Sequence, residues 1–333
     1  SSTSRGLGDV YKRQTYNNSV GDNNWNNKDN WNSTLTPLLY NDATIPAAFT
    51  PQITGSAFAE NLSVSSPLNL TSGSLYISGN LNLNSKITLN NNSLNLKGSA
   101  SQITNGNATN YIVTNGTGTV NVENLDAARG TVNLPIGTAT NYNPVSITNN
   151  GTSDTFSVKV SDGIANTTNG AVNATWDISE ATAGGSDVSL TLGWNTAQQN
   201  SLFDASTAKV GHFYGNQWNP ENSDFVSNNS ISATGITSFS PFSVMNFSAL
   251  GTSDLTKAKA KVYPNPFNES LNINVEENST VYFYDLSGKL VSTSMLMKGS
   301  NQLQKNSLNS GMYLYQIKNV KGDVLASGKA VKK

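Results

Sequence analysis

Residues 62–96 read LSVSSPLNLTSGSLYISGNLNLNSKITLNNNSLNL, and this stretch decides the fold of the first part of the chain. Pairs of apolar residues separated by one position recur along it, and each pair places two side chains on the same face of a strand. The pairs are Leu62/Val64, Leu68/Leu70, Leu75/Ile77, Leu81/Leu83, Ile87/Leu89 and Leu94/Leu96. Their first members advance by 6, 7, 6, 6 and 7 residues, so every third pair returns after 19 residues. This period predicts a parallel β-solenoid with three short strands in each coil.

Turn-forming residues fall between these pairs, as the connections between short strands require. They are Ser72-Gly73, Ser78-Gly79-Asn80 and Asn90-Asn91-Asn92. We place the solenoid at residues 58–125 and expect two to three coils, with Ile103, Ile112/Val113 and Val120/Val122 continuing it at looser spacing. A stack of tight antiparallel hairpins is the alternative, and the 19-residue return argues against it. Asparagines at repeated positions are expected to stack as side-chain ladders between coils.

Charged residues are sparse, at 12% of the chain, and the net charge is −1. This balance creates no global field that would attract nucleic acid, so we expect no nucleic-acid partner. The chain has no cysteine and one histidine, which excludes disulfides, thiolate metal sites and zinc sites with two histidines. No apolar run is long enough to span a membrane as a helix. Because Asn, Ser, Thr and Gly favour turns over long helices, we expect an all-β protein without a cofactor or metal.

Residues 1–14 look foreign to the rest of the chain. Asp9-Val-Tyr-Lys-Arg-Gln14 resembles the translation of a transposon end used to fragment DNA for sequencing. We interpret residues 1–14 as a non-native scar, and an ordinary disordered N-terminus is the alternative. No signal peptide is visible at the start, and if the segment is a scar the natural chain begins further upstream.

Residues 15–57 are assigned to an N-terminal cap. Trp25 and Trp31 stand six positions apart among asparagines, and we interpret them as capping the first turn of the solenoid. The alternative is that they and Trp218 stack on sugar rings, because the apolar face of a sugar packs well against an aromatic ring. Asp22 and its neighbours imitate the start of a calcium loop, but Asn27 and Ser33 replace the glycine and glutamate that such a loop needs, so we reject calcium there.

Residues 130–247 alternate apolar and polar side chains at period two, which predicts the antiparallel strands of a β-sandwich. The alternating segments are Val132/Leu134/Ile136, Val145/Ile147, Phe156/Val158/Val160, Trp176/Ile178, Val188/Leu190/Leu192 and Val210/His212/Tyr214. Thr175-Trp-Asp-Ile-Ser-Glu180, Gly184-Gly-Ser-Asp-Val-Ser-Leu-Thr-Leu192, Trp194-Asn195 and Thr234-Gly-Ile-Thr-Ser-Phe-Ser-Pro-Phe242 resemble a module common in secreted proteins of the Bacteroidetes. That resemblance implies a context and no defined activity.

Catalytic chemistry has little support in this part of the sequence. His212 would have to carry any histidine-dependent triad, but no Gly-x-Ser-x-Gly motif surrounds a serine, and we interpret His212 as a strand residue. Some parallel solenoids are polysaccharide lyases, which need clustered carboxylates to hold a cation. Between Leu62 and Asn121 the only charged residues are Lys86 and Lys97. We therefore predict no catalytic residue and no enzyme activity.

The character of the chain changes at Lys261-Val-Tyr-Pro-Asn-Pro-Phe-Asn268, after a predicted linker at residues 248–261. Five motifs follow in order: Tyr263-Pro-Asn-Pro-Phe267, Leu271-Asn-Ile273, Val281-Tyr-Phe-Tyr-Asp-Leu-Ser-Gly-Lys-Leu-Val291, Leu308-Asn-Ser-Gly-Met-Tyr-Leu-Tyr-Gln-Ile317 and Gly328-Lys-Ala-Val-Lys-Lys333. Together they resemble the type A C-terminal sorting domain of the type IX secretion system of the Bacteroidetes, over residues 262–333. Alternation around Tyr282 and a glycine turn at Gly288 predict a small Ig-like β-sandwich.

The resemblance implies a route and a set of signal residues. Those residues are Tyr263, Pro264, Asn265, Pro266, Phe267, Asp285, Gly288, Gly311, Tyr313, Lys332 and Lys333. The implied route crosses the inner membrane and the periplasm and then an outer-membrane type IX translocon, after which a peptidase removes the sorting domain. The cargo is then released or attached to surface lipopolysaccharide, so a secreted or outer-surface location is expected.

We therefore predict an all-β protein: a parallel β-solenoid, an antiparallel β-sandwich and a small C-terminal Ig-like β-sandwich. The predicted function is that of a non-enzymatic, adhesin-like protein delivered by its sorting domain. One alternative is a carbohydrate-binding or polysaccharide-degrading protein. Another is a stalk for an active domain that is missing from the N-terminus.

Overall fold

The computed structural model describes residues 12–247, 260–322 and 324–333. It divides into two compact units, Ser1–Ser248 and Ala249–Lys333, and each has its own hydrophobic core. The predicted all-β class is confirmed: the regular structure of the described residues is β, apart from single 3-10 turns at Lys28–Asn30 and Thr196–Gln198. Residues 1–11 of the segment predicted to be a scar and 248–259 of the predicted linker lie outside the described residues.

The first unit begins with fifteen short strands. Its apolar residues come in pairs separated by one position, and each such pair lies on one face of a short strand. They are β1 (Arg13–Thr15), β2 (Asp42–Ile45), β3 (Gln52–Ile53), β4 (Ala57–Ala59), β5 (Leu62–Val64), β6 (Leu68–Leu70), β7 (Leu75–Ile77), β8 (Leu81–Leu83), β9 (Ile87–Thr88), β10 (Leu94–Leu96), β11 (Ile103–Thr104), β12 (Ile112–Val113), β13 (Val120–Leu125), β14 (Val132–Leu134) and β15 (Ile136–Gly137). Three parallel stacks run through them: β1-β2-β5-β8-β11, β3-β6-β9-β12-β15 and β4-β7-β10-β13.

The register between coils is the one that the 19-residue period predicts. Leu62 pairs with Leu81, and the next two strands of the coil match in the same way, Leu68 with Ile87 and Leu75 with Leu94. The parallel solenoid is therefore confirmed, and the antiparallel-hairpin alternative is wrong for these strands. Asparagine ladders also form as expected, for example Asn121 Nδ2 to Asn95 Oδ1 at 2.8 Å and Asn90 Nδ2 to Asn69 Oδ1 at 2.9 Å.

Four coils form in all. Three of them, from β5 to β13, lie within residues 58–125 and agree with the expected two to three, and one more coil comes before them. The first, β2 to β4, precedes the predicted start: Ala43 pairs with Leu62, but its inward residues include small alanines that a search for Leu-x-Leu pairs misses. The fourth, β11 to β13, has longer connections, with 26 residues between the laddered Asn95 and Asn121. Strand β1 adds to the same stack and includes two residues of the segment predicted to be a scar, of which Gln14 is buried.

The solenoid and the sandwich share one sheet. The remaining strands of this unit are β16 (Val145–Asn149), β17 (Asp154–Asp162), β18 (Ala174–Glu180), β19 (Val188–Gly193), β20 (Ala208–Tyr214), β21 (Gln217–Pro220), β22 (Ser230–Ile236) and β23 (Pro241–Asn246). Strand β13 pairs in parallel with β10 on one side and antiparallel with β17 on the other. The resulting mixed sheet has nine strands in the order β21-β20-β23-β18-β17-β13-β10-β7-β4. It shares one core with an antiparallel sheet of four strands in the order β14-β16-β19-β22. The predicted boundary at residues 125–130 is thus a change of strand direction inside one compact unit.

A buried arginine ties the last coil to the sandwich. Arg129 is almost fully buried and donates from Nη2 to the carbonyl of Ser101 at 3.1 Å and from Nη1 to the carbonyl of Glu123. Burial lowers the pKa of its guanidinium, and the nearby Asp126 and Glu123 oppose that shift. The arginine thereby satisfies one carbonyl group of the connection before β11 and one at the register shift of β13.

The second unit is a small sandwich of two antiparallel sheets, as predicted. Its strands are β24 (Ala260–Tyr263), β25 (Ser270–Val275), β26 (Ser279–Tyr284), β27 (Leu290–Leu296), β28 (Gly299–Gln304), β29 (Gly311–Asn319) and β30 (Val324–Lys332). One sheet has the order β24-β25-β28 and the other β27-β26-β29-β30. Alternation buries Val281 and Phe283 of β26 and Ile317 of β29, and these side chains form the centre of the core.

Candidate functional site

The Pro-Asn-Pro-Phe segment carries the chain from one sheet of the second unit to the other. Strand β24 ends at Tyr263, which pairs with Asn272, and Phe267 then forms a parallel bridge to Lys332 in the opposite sheet. Pro264 and Pro266 have no N–H to offer a ladder, so the segment between the sheets cannot continue either strand. The segment is therefore a crossover that follows the first strand of the unit.

This crossover seals the outer edge of the last strand. Asn265 donates from Nδ2 to the carbonyl of Lys329 at 2.6 Å, and its Oδ1 accepts from the N–H of Val331 at 2.9 Å. The Phe267 N–H donates to the carbonyl of Val331, and the Lys333 N–H donates to the carbonyl of Phe267, both at 2.9 Å. Four backbone groups at the end of β30 that would otherwise form an open edge are thereby satisfied.

Phe267 anchors the crossover. Its side chain is 1% exposed and belongs to the hydrophobic core of the second unit, whereas Tyr263 at the start of the segment is 46% exposed. The polar and apolar halves of the motif thus have separate roles. Asn265 binds the backbone of β30, and Phe267 holds the segment on the core.

Asp285 and Gly288 form the turn between β26 and β27. Asp285 Oδ1 accepts from Ser287 Oγ at 2.6 Å and from the N–H groups of Ser287 and Lys289 at 2.9 and 3.0 Å. These hydrogen bonds, led by that of the Ser287 hydroxyl, hold the pKa of the carboxyl below its usual value. Gly288 has φ of 84°, a conformation that residues with a side chain rarely adopt.

The remaining predicted signal residues lie on β29 and β30. Gly311 begins β29, and Tyr313, almost fully buried, donates from its hydroxyl to the carbonyl of Asn309 at 2.8 Å. Lys332 donates from Nζ to the carbonyl of Lys305 at 2.7 Å. The structure thus brings Asn265, Phe267, Lys332 and Lys333 together at the end of β30, while Asp285 and Gly288 belong to a separate turn.

Lys305 is a structural residue that the sequence did not single out. Its side chain is 4% exposed, and Nζ donates to Ser292 Oγ at 2.7 Å and Ser294 Oγ at 2.9 Å, 5.1 Å from the centre of the Phe283 ring. Burial lowers the pKa of this ammonium group. A lysine after a strand usually points into solvent, so no local pattern could have indicated its burial.

Trp25 and Trp31 do not form the sugar-stacking platform that was the alternative to a capping role. Trp25 and Trp31 are 0% and 1% exposed, meet edge to face at 4.7 Å, and Trp31 Nε1 donates to the carbonyl of Trp25 at 2.8 Å. Neither ring face is accessible, so the glycan-stacking alternative is wrong for these two residues. Trp218 is half-buried against Phe213, and its Nε1 donates to the carbonyl of Ala165 at 2.8 Å.

His212 lies on β20 with its ring 2% exposed. Nδ1 is 2.8 Å from Glu221 Oε1, and the ring stacks on Phe242 with centroids 4.4 Å apart. Within residues 12–247, 260–322 and 324–333, no group of three or more His, Cys, Asp or Glu side chains could hold a metal ion. The described part of the chain also contains no helix of the length and apolarity that crossing a bilayer requires.

Comparison with known proteins gives one family match. Residues 261–332 match the family model described as the secretion system C-terminal sorting domain. No curated protein matches the chain. A solved structure of PorZ, an essential bacterial surface component of the type-IX secretion system of Porphyromonas gingivalis, is similar at 12% identity and a TM-score of 0.21, over 53% of this chain and 23% of that one. The chain thus spans about a quarter of the length of that protein, and a similarity this low carries no argument about function.

The family match covers the unit in which the crossover, the Asp285 turn and the sealed β30 edge occur. The chain therefore carries a C-terminal sorting domain of the type IX secretion system at residues 261–332, and it is a type IX-secreted protein of the cell surface or the extracellular space.

Proposed function

We propose that residues 12–247 form a non-enzymatic, adhesin-like cargo that the sorting domain delivers to the outside of the cell. The observation that supports this proposal is a row of aligned side chains on the outward face of the nine-stranded sheet, here called the outer track. Its members are Phe58, Tyr76, Asn95, Asn121, Ser157 and Ser179, which are neighbours in the register of six adjacent strands. Strands lie about 4.8 Å apart, so the outer track is about 24 Å long.

The outer track continues beside a cleft. This cleft has a volume of about 270 Å³, and its walls include Ser157, Ser179 and Phe239. Serine and threonine hydroxyl groups and the aromatic ring of Phe239 are among the groups that line it. A surface of this kind offers hydrogen bonds and apolar contact to an extended ligand that lies across the strands.

The charges beside the outer track are paired, which favours binding over acid–base chemistry. Lys97 Nζ is 3.0 Å from Glu123 Oε2, and Lys159 Nζ is 3.5 Å from Asp177 Oδ2. His212, the chain's single histidine, is buried against Phe242. A general acid or base must reach the proton that it transfers, and the buried ring of His212 does not reach the surface.

Attachment of native-host cells to a surface tests the proposal. Ser179 is exposed at the end of the outer track, where it lines the cleft, so Ser179→Arg should reduce attachment without disturbing the core. Asn133→Arg, which introduces the same side chain at an exposed position of the other sheet, is the control and should attach like the wild type. Equal attachment of both variants and the wild type would contradict the adhesin-like role, and turnover of a polysaccharide by the purified chain would contradict the non-enzymatic one.

A carbohydrate-binding function is the second candidate. Phe58 and Tyr76 stack at 5.2 Å with planes 18° apart, and Lys97 Nζ lies 5.8 Å from the centre of the Tyr76 ring. Aromatic rings beside amide and hydroxyl groups suit a neutral saccharide. On a glycan array, Tyr76→Ala should abolish saccharide binding, whereas the exposed Tyr40→Ala should not. Absence of binding to every saccharide by the wild-type chain would remove this candidate.

A further inference from the structure

Strand β27 is an edge of the sorting domain that the described residues leave open. The sheet order β27-β26-β29-β30 makes β27 and β30 its two edges. The end of β30 is sealed by Asn265 and Phe267. Among the described residues no strand pairs with the outer side of β27. Beyond its end, the Asn301 side chain binds the backbone of Met297, and Asn278 Oδ1 accepts from the N–H of Lys298.

The composition of β27 is unusual for an exposed edge. Residues 290–297 read LVSTSMLM, without a charge or a proline. Native edges are normally protected by lysine, proline or a bulge, as β21 is by Pro220 and β30 by its lysines. A register shift beside Val291 bends the start of β27, so residues 292–296 form its regular part.

Most exposed side chains of this edge are apolar, and Thr293 is the polar one within β27. Met295 is 85% exposed and Met297 66%, and Leu290 and Leu286 are also exposed beside them. Isolated exposed apolar residues are normal, but here several line one unpaired strand. Backbone groups and side chains together make a surface that accepts another strand by β-augmentation.

The charged residues at the two ends of β27 distinguish between a second copy of this chain and a different protein as its partner. Lys289 precedes the strand and Lys298 follows it, and both are exposed. If two copies of the chain paired antiparallel through β27 at full overlap, Lys289 of one would oppose Lys298 of the other at both ends. Like charges directly opposite each other destabilise a strand pair. A different partner strand with acidic ends would instead complement both lysines.

We propose that β27 is the docking strand of the sorting domain. An extended, uncharged segment of the type IX secretion machinery adds to its outer edge, with acidic residues flanking that segment and facing Lys289 and Lys298. The side chains of Met295 and Leu290 then pack against alternate side chains of the added strand. The proposal concerns how the sorting domain is received and is independent of what the cargo binds.

Met295→Lys in the full chain, expressed in the native host, tests the docking strand. A lysine there protects the edge in the way that native edges are protected, and the site is exposed, so the unfolding midpoint should not change. Export to the surface should fall at least fivefold, with the chain accumulating in the periplasm. The matched control is Val320→Lys, at a turn residue 82% exposed, and it should be exported like the wild type. Equal export of the two variants would overturn the proposal.

Cross-linking identifies the partner without depending on export. The chain has no cysteine, so Met295→Cys provides a unique thiol for a photo-activated cross-linker. A cross-link to a component of the machinery is expected, and Val320→Cys should give none. A cross-link between two copies of the chain, or the same products from both variants, would overturn the assignment of β27 to the machinery.

Discussion

Replacing Phe267 with alanine removes the anchor of the crossover between the two sheets of the sorting domain. The ring is 1% exposed within the smaller of the two cores, and truncating a buried phenylalanine costs about 3–5 kcal/mol. A single core in a domain of this size supplies about 3–5 kcal/mol of stability. Phe267→Ala should therefore bring the free energy of unfolding close to zero and leave much of the domain unfolded at 25 °C.

Urea unfolding of the unit Ala249–Lys333, followed by circular dichroism, measures this effect, because the unit is compact and has its own core. With a slope of about 1 kcal/mol per molar urea, the wild type should unfold near 3–5 M and the variant below about 1 M. Tyr263→Ala is the matched control: the ring is 46% exposed, and we expect a loss below about 1 kcal/mol. If Phe267→Ala cost no more than Tyr263→Ala, the anchoring role of Phe267 would be refuted.

Three further outcomes follow from the buried polar groups and the close approach of coils. Burial lowers the pKa of Lys305 below its ordinary 10.5. The contribution of Lys305 to the stability of the domain is therefore lost as pH falls through the folded pKa and is fully present above 10.5. Lys305→Met should reduce the gain in urea midpoint between pH 7 and pH 10, and an unchanged gain would contradict the assignment. Arg129→Met removes the donors to the carbonyls of Ser101 and Glu123 and should cost about 2 kcal/mol in thermal unfolding of the full chain, whereas a loss below about 0.5 kcal/mol would show that these hydrogen bonds contribute little. Gly118→Ala would bring a Cβ to 2.0 Å from the carbonyl oxygen of Asn92 in the adjacent coil, so we expect a loss of about 1–3 kcal/mol in the same measurement, and a neutral substitution would contradict the coil spacing.

Local periodicity was enough to predict the coils within residues 58–125 but not the coil that precedes them. The recurrence of Leu62, Leu81 and their neighbours indicates both the length of each strand and its partner. Successive coils of a parallel solenoid contain about the same number of residues, so each strand pairs with the strand one period further along the chain. The first coil was not predicted, because its interior contains Ala43, Ala57 and Ala59 at positions where the repeat has larger apolar residues. The shared sheet could not be predicted, since the choice of β17 as the second partner of β13 depends on packing between distant segments.

The candidate site, like the fold, could be predicted only in part from the sequence. The five motifs from Tyr263 to Lys333 together identified the sorting domain from sequence, and the family match confirms it. The sequence did not indicate that Asn265 binds the backbone of β30, because those residues lie more than sixty positions apart. Trp25 and Trp31 were open to two interpretations, since flanking asparagines suggest exposure, and only the packing of the two rings against each other shows burial.

Export in the native host tests the central claim most directly. A chain lacking residues 261–332 should fold its cargo unit, which has a separate core, but should remain in the periplasm while the full chain reaches the surface or the medium. Fractionation of cells that express the two forms measures this. Accumulation of the truncated chain in the periplasm is the expected result, and its arrival outside the cell at the level of the full chain would contradict the sorting function.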